Sequence, residues 1–243
     1  MIIGIKNIQH TSRYQKVIGY LHMMWSMRLL KVRDFTVESV PRSAIQPFIE
    51  KWHYSHSTNG VQHTQCFALF DGMTMIGAMI YALPSMKATA AKYNPINPLR
   101  CWELRRLCCI DDTPTNTESY FIGKTLRWLR QNTDIEVIVS YADLEQGHEG
   151  IIYKASNFHY LGQSGGGSIL MVDGKKYHAR SMNQKEKPYG RELKRRWDNK
   201  EGHEWWDSKE EDMYYVDTKP KNIYVYYLSK KAKKKYLYVD SKN

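Results

Sequence analysis

The residues best suited to chemistry lie in the stretch 140–158, SYADLEQGHEGIIYKASNF. Asp143 follows the apolar run EVIVS, so its carboxylate is expected at the carboxyl edge of a buried strand, where open α/β sheets bind ligands. There it can accept a proton or bind a metal ion, the alternative being that it only caps the next helix. His148 lies at the start of that helix, either as a site residue or as a group that solvates the terminus.

A second set of candidate side chains follows an earlier helix, in WHYSHSTNG. His53 and His56 are three residues apart, and with Asp143 they have the ligand types of an iron or zinc site, iron being the metal that suits redox chemistry. His148 is a further candidate ligand. The alternative is that these are ordinary surface histidines, which are common in folded proteins.

Two arginines in the run CWELRRLCCI are candidate anion ligands. Arg105 and Arg106 are adjacent on a predicted strand, so their side chains point to opposite faces and one of them is expected to enter a cleft. A guanidinium there can bind a phosphate or carboxylate in a bidentate manner, and the alternative is a structural salt bridge. The run GGG at 165–167 is not expected to bind phosphate, because no helix and no GK[ST] motif follow it.

The composition favours a globular protein with a polyanionic partner. The 243 residues carry a formal net charge of +11, which fits nucleic acid, although a basic surface that only aids solubility is the alternative. The four cysteines lack CxxC spacing and are predicted to be reduced thiols in a cytosolic protein. No apolar run approaches the roughly 18 residues of a membrane helix, so no membrane partner is expected.

The elements that must position these residues form an α/β pattern with a mixed sheet. Pro84, Pro95 and Pro98 indicate that 84–100 is a loop, and Ser43 is predicted to cap the first helix. The order describes antiparallel hairpins and one parallel crossover. Strands are predicted over 29–40, 65–70, 74–83, 101–110 and 136–140, and helices over 44–53, 117–131, with Phe121, Leu126 and Leu129 facing the core, and 147–156.

The predicted helix 147–156 has a definite orientation. Ile151, Ile152 and Ala155 are expected on its packing side, which leaves Tyr153 to point elsewhere. Asn157 is expected to end the helix in the left-handed conformation.

The chain is divided into an N-terminal extension (1–28), a core (29–180) and a basic C-terminal extension (181–243). Because strand-like sequence begins only near Leu29, Met27 is a candidate start as well as Met1. In the C-terminal part, YGRELKRRWDNK is predicted as a helix and NIYVYYLSKKAKKKYLYV as a basic hairpin. The hairpin either binds a DNA backbone or is an edge strand that its lysines protect from pairing with other strands. The lysines concerned are Lys230, Lys231, Lys233, Lys234 and Lys235.

Four segments together resemble the phage Mom DNA-modification proteins, which have a fold like the GNAT acetyltransferases. They are WHYSH, ELRRL, PTNTESYFIG and SYADLEQGHEGIIYKASNF, in that order along the chain. The resemblance implies a GNAT-like central sheet flanked by helices. It also implies an enzyme that converts the N6 amino group of adenine in double-stranded DNA to carbamoylmethylamino. Such an enzyme shields phage DNA from restriction in the host cytoplasm. The oligomeric state is left open, a homodimer being one option.

The same resemblance suggests roles for individual residues. Tyr153, followed by Asn157 and Phe158, resembles the GNAT tyrosine that protonates a departing thiolate, and Asp143 would accept the proton of the adenine amine. Tyr54 would stack on the base. The first turn of the second long helix would hold the donor phosphates, with the cleft-facing arginine of the pair Arg105 and Arg106 assisting. The turn residues are Thr115, Asn116, Thr117 and Ser119. Ser119 is also grouped with the catalytic residues, the alternative being that it only caps the helix.

The donor is left open by the chemistry of the product. Ordinary acyl transfer from acetyl-CoA gives an amide, whereas N–CH₂–CONH₂ requires a bond from nitrogen to a CH₂ carbon. The donor is therefore acetyl-CoA that is oxidatively activated, or another two-carbon unit such as one derived from glycine. Two further functions stay open: an N-acetyltransferase that uses acetyl-CoA on a protein or small amine, and a DNA-binding protein without catalysis.

Overall fold

The computed structural model describes residues 31–61, 64–201 and 213–240. The predicted N-terminal extension over 1–28, with both candidate start residues, lies outside these ranges.

The described residues form ten strands and six α-helices. The strands are β1 (Thr36–Val40), β2 (Thr64–Asp71), β3 (Thr74–Ala82), β4 (Cys101–Cys109), β5 (Val137–Asp143), β6 (His159–Gln163), β7 (Gly167–Val172), β8 (Lys175–His178), β9 (Met213–Thr218) and β10 (Lys221–Tyr227). The helices are α1 (Arg42–Trp52), α2 (Lys87–Tyr93), α3 (Thr117–Asn132), α4 (Ile151–Ala155), α5 (Pro188–Glu201) and α6 (Lys230–Asp240).

Seven strands form a mixed sheet in the order β1-β2-β3-β4-β5-β10-β6, flanked by helices. β4 and β5 are parallel, as expected for a β-α-β crossover through α3, and β10 is antiparallel to both β5 and β6. Three further strands form a separate small sheet in the order β8-β7-β9. The predicted α/β class with a mixed sheet and one parallel crossover is confirmed.

The described residues divide into two compact units. The first unit contains residues 31–59, 65–80 and 106–125, and the second contains 60–61, 64, 81–105, 126–201 and 213–240. WHYSH and the start of α3 thus belong to the first unit, whereas Asp143, Tyr153 and the C-terminal lysines belong to the second.

The core elements follow from local sequence. The hairpin between β2 and β3 turns at Gly72, whose φ of 57° is a left-handed value that glycine adopts without strain. Phe121, Leu126 and Leu129 of α3 are buried, as the helical spacing predicts. Val137, Ile138 and Val139 are all buried, because β5 is an interior strand with both faces covered.

Three predictions about the first half of the chain are wrong. The strand predicted over 29–40 begins only at Thr36, after a 3₁₀ turn at Val32–Asp34. α1 begins at Arg42 with Pro41 as its N-cap, so Ser43 lies inside the helix and does not cap it. The segment 84–100 is not a plain loop, since it contains α2 and a 3₁₀ turn at Pro98–Arg100. Its KATAAKY run is rich in alanine, the best helix former, and the prolines only bound the helix.

The predicted basic hairpin at the C-terminus is also wrong. Its first half is β10, which lies between β5 and β6, and its second half is the helix α6. Ser229 caps α6, because its Oγ accepts the Ala232 N–H at 3.0 Å, and the Lys and Ala residues that follow are strong helix formers. The predicted helix within 181–200 is confirmed as α5. The domain boundary at residue 180 stays a prediction.

The four cysteines are free thiols, as predicted. Cys66 and Cys101 are buried, and burial raises the pKa of the Cys101 thiol to about 12. In the part of the chain that the structure describes, none of the helices has the length and apolar character to cross a membrane.

Candidate active site

Asp143 is the last residue of β5, which runs three residues past the expected end at Ser140. Its Oδ1 accepts the Glu145 N–H at 3.1 Å and so caps the 3₁₀ turn Leu144–Gln146. Its Oδ2 lies 2.7 Å from the Nζ of Lys221 on β10. Asp143 therefore has the capping role that was the alternative to a functional one. It also pairs with Lys221, a partner that the sequence did not indicate.

The loop 144–150, which follows Asp143, is held by the start of β10. The Lys219 N–H donates to Oε1 of Glu145 at 2.7 Å, and the hydroxyl of Tyr224 donates to the Glu149 carbonyl at 2.7 Å. The His148 N–H donates to the Asp143 carbonyl at 3.1 Å, while its side chain is exposed. These hydrogen bonds give the loop a defined position relative to Asp143.

Gly150 is required at the end of this loop for two reasons. Its φ is +83°, a value that side-chain-bearing residues rarely adopt. A Cβ at this position would also lie 2.2 Å from Cε2 of Tyr224. The tight approach of the loop to β10 therefore depends on the absence of a side chain here.

The orientation predicted for the helix after the loop is wrong. α4 begins at Ile151, not near Gly147, and Ile151 is 69% exposed whereas Tyr153 is only 8% exposed. The Tyr153 ring packs 5.5 Å from Phe158 and 5.2 Å from Tyr224, measured between ring centroids. In so short a helix, packing against these rings decides which side is buried. The predicted left-handed stop is confirmed, since Asn157 has a φ of 61°.

His53, in the first unit, is buried and adopts one tautomer. The Ser55 N–H donates to its Nδ1 at 3.1 Å, and a backbone N–H cannot accept, so Nδ1 must be the acceptor. The neutral ring then carries its proton on Nε2 and offers no lone pair there to a metal. For His56 the opposite holds, because its Nδ1 lies 2.9 Å from the Glu50 carbonyl and must donate.

The predicted metal ligands lie in different units of the chain, His53 and His56 in the first and His148 in the second. Within the described ranges, no group of three or more His, Cys, Asp or Glu side chains is placed to hold a metal ion. The ligand roles of His53, His56 and His148 stay a prediction.

The segment around Tyr54 is ordered by two arginines. The Tyr54 ring stacks on the His53 ring at 4.3 Å between ring centroids, and Tyr54 is 47% exposed. Arg106 Nε donates to the Ser57 carbonyl at 3.0 Å, and Arg42 Nη2 donates to the carbonyl and to Oγ1 of Thr58. Arg42 was not identified from the sequence, because nothing local connects it to a segment 16 residues away.

Arg105, in the second unit, forms the salt bridge that was the alternative to ligand binding. Its Nη1 lies 3.2 Å from Oε2 of Glu103 and donates to Oγ of Ser85 at 2.7 Å. Both charged side chains are largely buried, so the pair is part of the packed structure.

The start of α3 has the polar turn that the sequence predicts. Thr117 is buried and its hydroxyl donates to the Pro114 carbonyl at 2.6 Å, while the Ser119 hydroxyl donates to the Asn116 carbonyl at 3.0 Å. Asn116 has a φ of 73°, which turns the chain into the helix. Thr115 and Asn116 are exposed. The role of these residues in donor binding stays a prediction.

The lysines of α6 all lie on its exposed side. Ala232 and Tyr236 form the buried side, and the Tyr236 hydroxyl donates to Oε2 of Glu136 at 2.6 Å. The positive charges of five lysines near a helix N-terminus oppose the helix dipole, so these charges do not stabilise the helix, whatever the helix propensity of the residues. The exposed ones are Lys230, Lys231, Lys233, Lys234 and Lys235.

Solved acetyltransferase structures are similar to this chain at low sequence identity. The spermidine N-acetyltransferase of Vibrio cholerae in complex with CoA and spermine is 10% identical, with a TM-score of 0.43 over 82% of this chain and 98% of that chain. The ribosomal-protein-S18-alanine N-acetyltransferase of Escherichia coli is 8% identical, with a TM-score of 0.43 over 80% of this chain and 94% of that chain.

Sequence comparison gives a more specific relationship. The methylcarbamoylase Mom of Escherichia phage Mu is 30% identical over 156 residues, which are 62% of this chain and 63% of that protein. The chain thus spans less than two thirds of the length of this curated relative. The model of the Mom protein family matches residues 34–243. Because that match covers most of the sequence, the chain belongs to the Mom protein family.

Proposed function

We propose that this protein is a phage-type DNA modification enzyme that converts adenine to N6-carbamoylmethyladenine in double-stranded DNA. The observation that carries the proposal is the family match over residues 34–243, together with the similarity to a methylcarbamoylase. Such a modification protects DNA from host restriction enzymes, so the protein would act in the cytoplasm of the host cell. The net charge of +11 supports DNA as the partner.

In this proposal adenine N6 attacks the CH₂ carbon of an activated donor, the leaving group departs from that carbon, and Asp143 accepts the proton that N6 loses. The N6 lone pair is delocalised into the ring, so nitrogen is a weak nucleophile and benefits from a base at the moment of attack. Each carboxylate oxygen has two lone pairs, so Asp143 can accept this proton while it keeps its bonds to Glu145 and Lys221. Lys221 holds the carboxylate in one orientation.

Tyr153 is proposed as the acid on the donor side. Its hydroxyl would protonate the group that departs from the CH₂ carbon of the donor, and the packing against Phe158 and Tyr224 fixes the plane of the ring. For Tyr54 and Ser119 the proposed catalytic roles rest on the family resemblance, and each is tested by its own substitution.

The donor is proposed to be a two-carbon unit that reaches the site already activated, with a leaving group on its CH₂ carbon and its amide nitrogen in place. Acetyl-CoA can be the source of this unit only after a two-electron oxidation of its methyl carbon by an external oxidant and exchange of its thiol for ammonia. The N-terminus of α3 fits a phosphate-bearing donor, because a helix of 16 residues directs its dipole and first N–H groups there. Thr115, Asn116, Thr117 and Ser119 would hold the phosphates. We propose no step through iron, since within the described residues no group of three or more possible ligands is placed to hold a metal ion.

The exposed lysines of α6 are proposed to bind the DNA backbone. Phosphate contacts of this kind are independent of sequence and position the duplex. The target adenine must also leave the base stack, because its N6 amino group is not accessible to transfer chemistry within the duplex.

The test is the mass of the nucleosides from plasmid DNA that is co-expressed with the protein. The wild-type chain should yield a heavier deoxyadenosine, and Asp143→Asn should abolish it. Glu149→Gln is the matched control, since Glu149 contacts β10 through its backbone carbonyl. Unmodified nucleosides in the presence of soluble, folded wild-type protein would contradict the proposal. Acetyl-CoA turnover without DNA would indicate the acetyltransferase alternative, and DNA binding without any product would indicate the non-catalytic one.

A further inference from the structure

The small sheet β8-β7-β9 has two different faces. On one face Leu170, Val172 and Met213 are buried against Leu193 of α5, with Tyr177 and Trp197 at the margin. Because side chains alternate along a strand, residues of the other parity point away from this core.

The strand register identifies the residues of the opposite face, which we call the open face. Ile169 pairs with His178 on one side and Val216 on the other, and Met171 pairs with Lys176 and Tyr214 in the same way. Residues that pair directly lie on the same side of a sheet. The open face therefore consists of Ile169, Met171, Lys176, His178, Tyr214 and Val216.

The chemistry of the open face fits unpaired nucleotides. Its centre is apolar and aromatic, with Tyr214 46% exposed, and Lys176 and His178 line one edge. None of its six residues is acidic. An exposed aromatic ring stacks on any base, while adjacent cations contact the phosphates, and this combination is typical of surfaces that bind unpaired nucleic acid.

The small sheet begins beside the Asp143 loop. The chain leaves the large sheet after Gln163 and returns at Lys221, where the Ser164 N–H donates to the Lys221 carbonyl at 2.9 Å. Lys219, directly after β9, donates its N–H to Glu145, two residues beyond Asp143. The same short connection thus joins the small sheet to the loop that orients the proposed base.

We propose that the open face binds unpaired nucleotides next to the target adenine, with Tyr214 stacked on a base and Lys176 on a phosphate. This inference rests on the proposed function, because an enzyme that extrudes adenine from a duplex must hold strands that are locally unpaired. The small sheet would hold the opened DNA while α6 binds the intact backbone.

The test measures the affinity of the purified full-length chain for a labelled duplex with a short unpaired bulge and for the same duplex fully paired, by fluorescence anisotropy. Tyr214→Leu should weaken binding to the bulged duplex about tenfold and leave binding to the paired duplex nearly unchanged. Tyr214→Phe should bind like wild type, since the ring is kept. Tyr189→Leu is the matched control, because Tyr189 has a similar exposure of 42% outside the open face.

A pair of neighbouring lysines tests the face itself. Lys175 and Lys176 are both exposed but point to opposite faces of β8, so Lys176→Glu should weaken binding to the bulged duplex more than Lys175→Glu does. The proposal would be overturned if Lys175→Glu and Lys176→Glu weakened binding to the bulged duplex equally. It would also be overturned if Tyr214→Leu weakened binding to the bulged and the paired duplex equally. Sedimentation showing a wild-type dimer that Tyr214→Leu converts to a monomer would overturn it as well. The binding assay does not depend on catalysis. An absence of adenine modification by the wild-type protein would therefore contradict the proposed function but not the proposed role of the open face.

Discussion

The Nζ of Lys221 lies 2.7 Å from Oδ2 of Asp143, which joins the last residue of β5 to the first residue of β10. These two residues are also register partners, so the ion pair is built into the pairing of the strands. The proposed catalytic base is therefore oriented by a lysine from the basic C-terminal region of the chain.

Lys221→Met is expected to lower the yield of modified adenine without unfolding the protein. The lysine side chain is 44% exposed, and such a pair contributes only about 0–1 kcal/mol to stability. Asp143→Asn should reduce the yield more strongly, because it removes the base itself. Nucleoside mass spectrometry and urea unfolding check the two effects. A yield equal to wild type in Lys221→Met would show that the lysine does not orient Asp143.

Gly150→Ala is expected to destabilise the protein by about 2 kcal/mol or more, because it combines left-handed strain with a clash against Tyr224. Gly147→Ala is the matched control. Gly147 also has a positive φ, of +70°, but a Cβ there would meet nothing within 4 Å, so strain alone should cost about 1 kcal/mol. The difference between the urea unfolding free energies of the two variants measures the clash. An equal loss of unfolding free energy in Gly150→Ala and Gly147→Ala would mean that the loop moves away from β10 without a loss of stability.

Tyr153→Phe and Tyr153→Ala should separate catalysis from packing. The phenylalanine keeps the ring contacts with Phe158 and Tyr224, so stability should change by about 1 kcal/mol or less while adenine modification is lost. The alanine should cost about 3–5 kcal/mol by leaving a cavity. Tyr226→Phe removes a hydroxyl that accepts from Arg130, and should leave the yield unchanged. Full activity of Tyr153→Phe would exclude the phenol as the acid.

The anchoring of α6 should depend on pH through Glu136. Burial opposes ionisation of Glu136, but hydrogen bonds from Tyr236 and Asn94 outweigh it and hold the pKa of this carboxyl below its usual value. A carboxyl with a lowered folded-state pKa contributes stability above its unfolded pKa, and this stability is lost as the pH falls through the folded value. Tyr236→Phe should therefore cost about 1 kcal/mol near pH 7 and progressively less in acid, as measured by urea unfolding across that range. A cost independent of pH would indicate a packing effect only.

Replacing Lys231 and Lys234 by alanine should weaken DNA binding and reduce its dependence on salt. The slope of log K against log salt is negative, and each lost phosphate contact reduces its magnitude by about 0.9. The magnitude of the slope should therefore be smaller by about 1–2 in the double variant. Lys92→Ala on α2 is a control for a lysine outside α6. An unchanged slope in the double variant would show that α6 does not contact phosphates.

Where local signals agree, the sequence predicts the fold well. The hairpin at Gly72, the strand after α3 and the left-handed stop at Asn157 depend on turn residues and hydrophobic periodicity within a few positions. The structure of the segment that begins at Asn222 was predicted wrongly, because its alternating aromatic residues are typical of a hairpin. Ser229 ends that pattern, but only pairing with β5 on one side and β6 on the other reveals β10 as an interior strand.

By itself, the sequence determined the α/β class, the family, and the position of Asp143 at the end of a strand. The surroundings of Asp143 depend on long-range packing that the sequence does not reveal. Lys221 is 78 residues away along the chain, and Tyr153 turned inward because rings from Phe158 and Tyr224 meet it there. Periodicity in a five-residue helix is too short to determine its buried side, and strand pairing over such distances depends on the whole sheet. The physical reason is that local backbone preferences act over a few residues, whereas the environment of a site is built from long-range contacts.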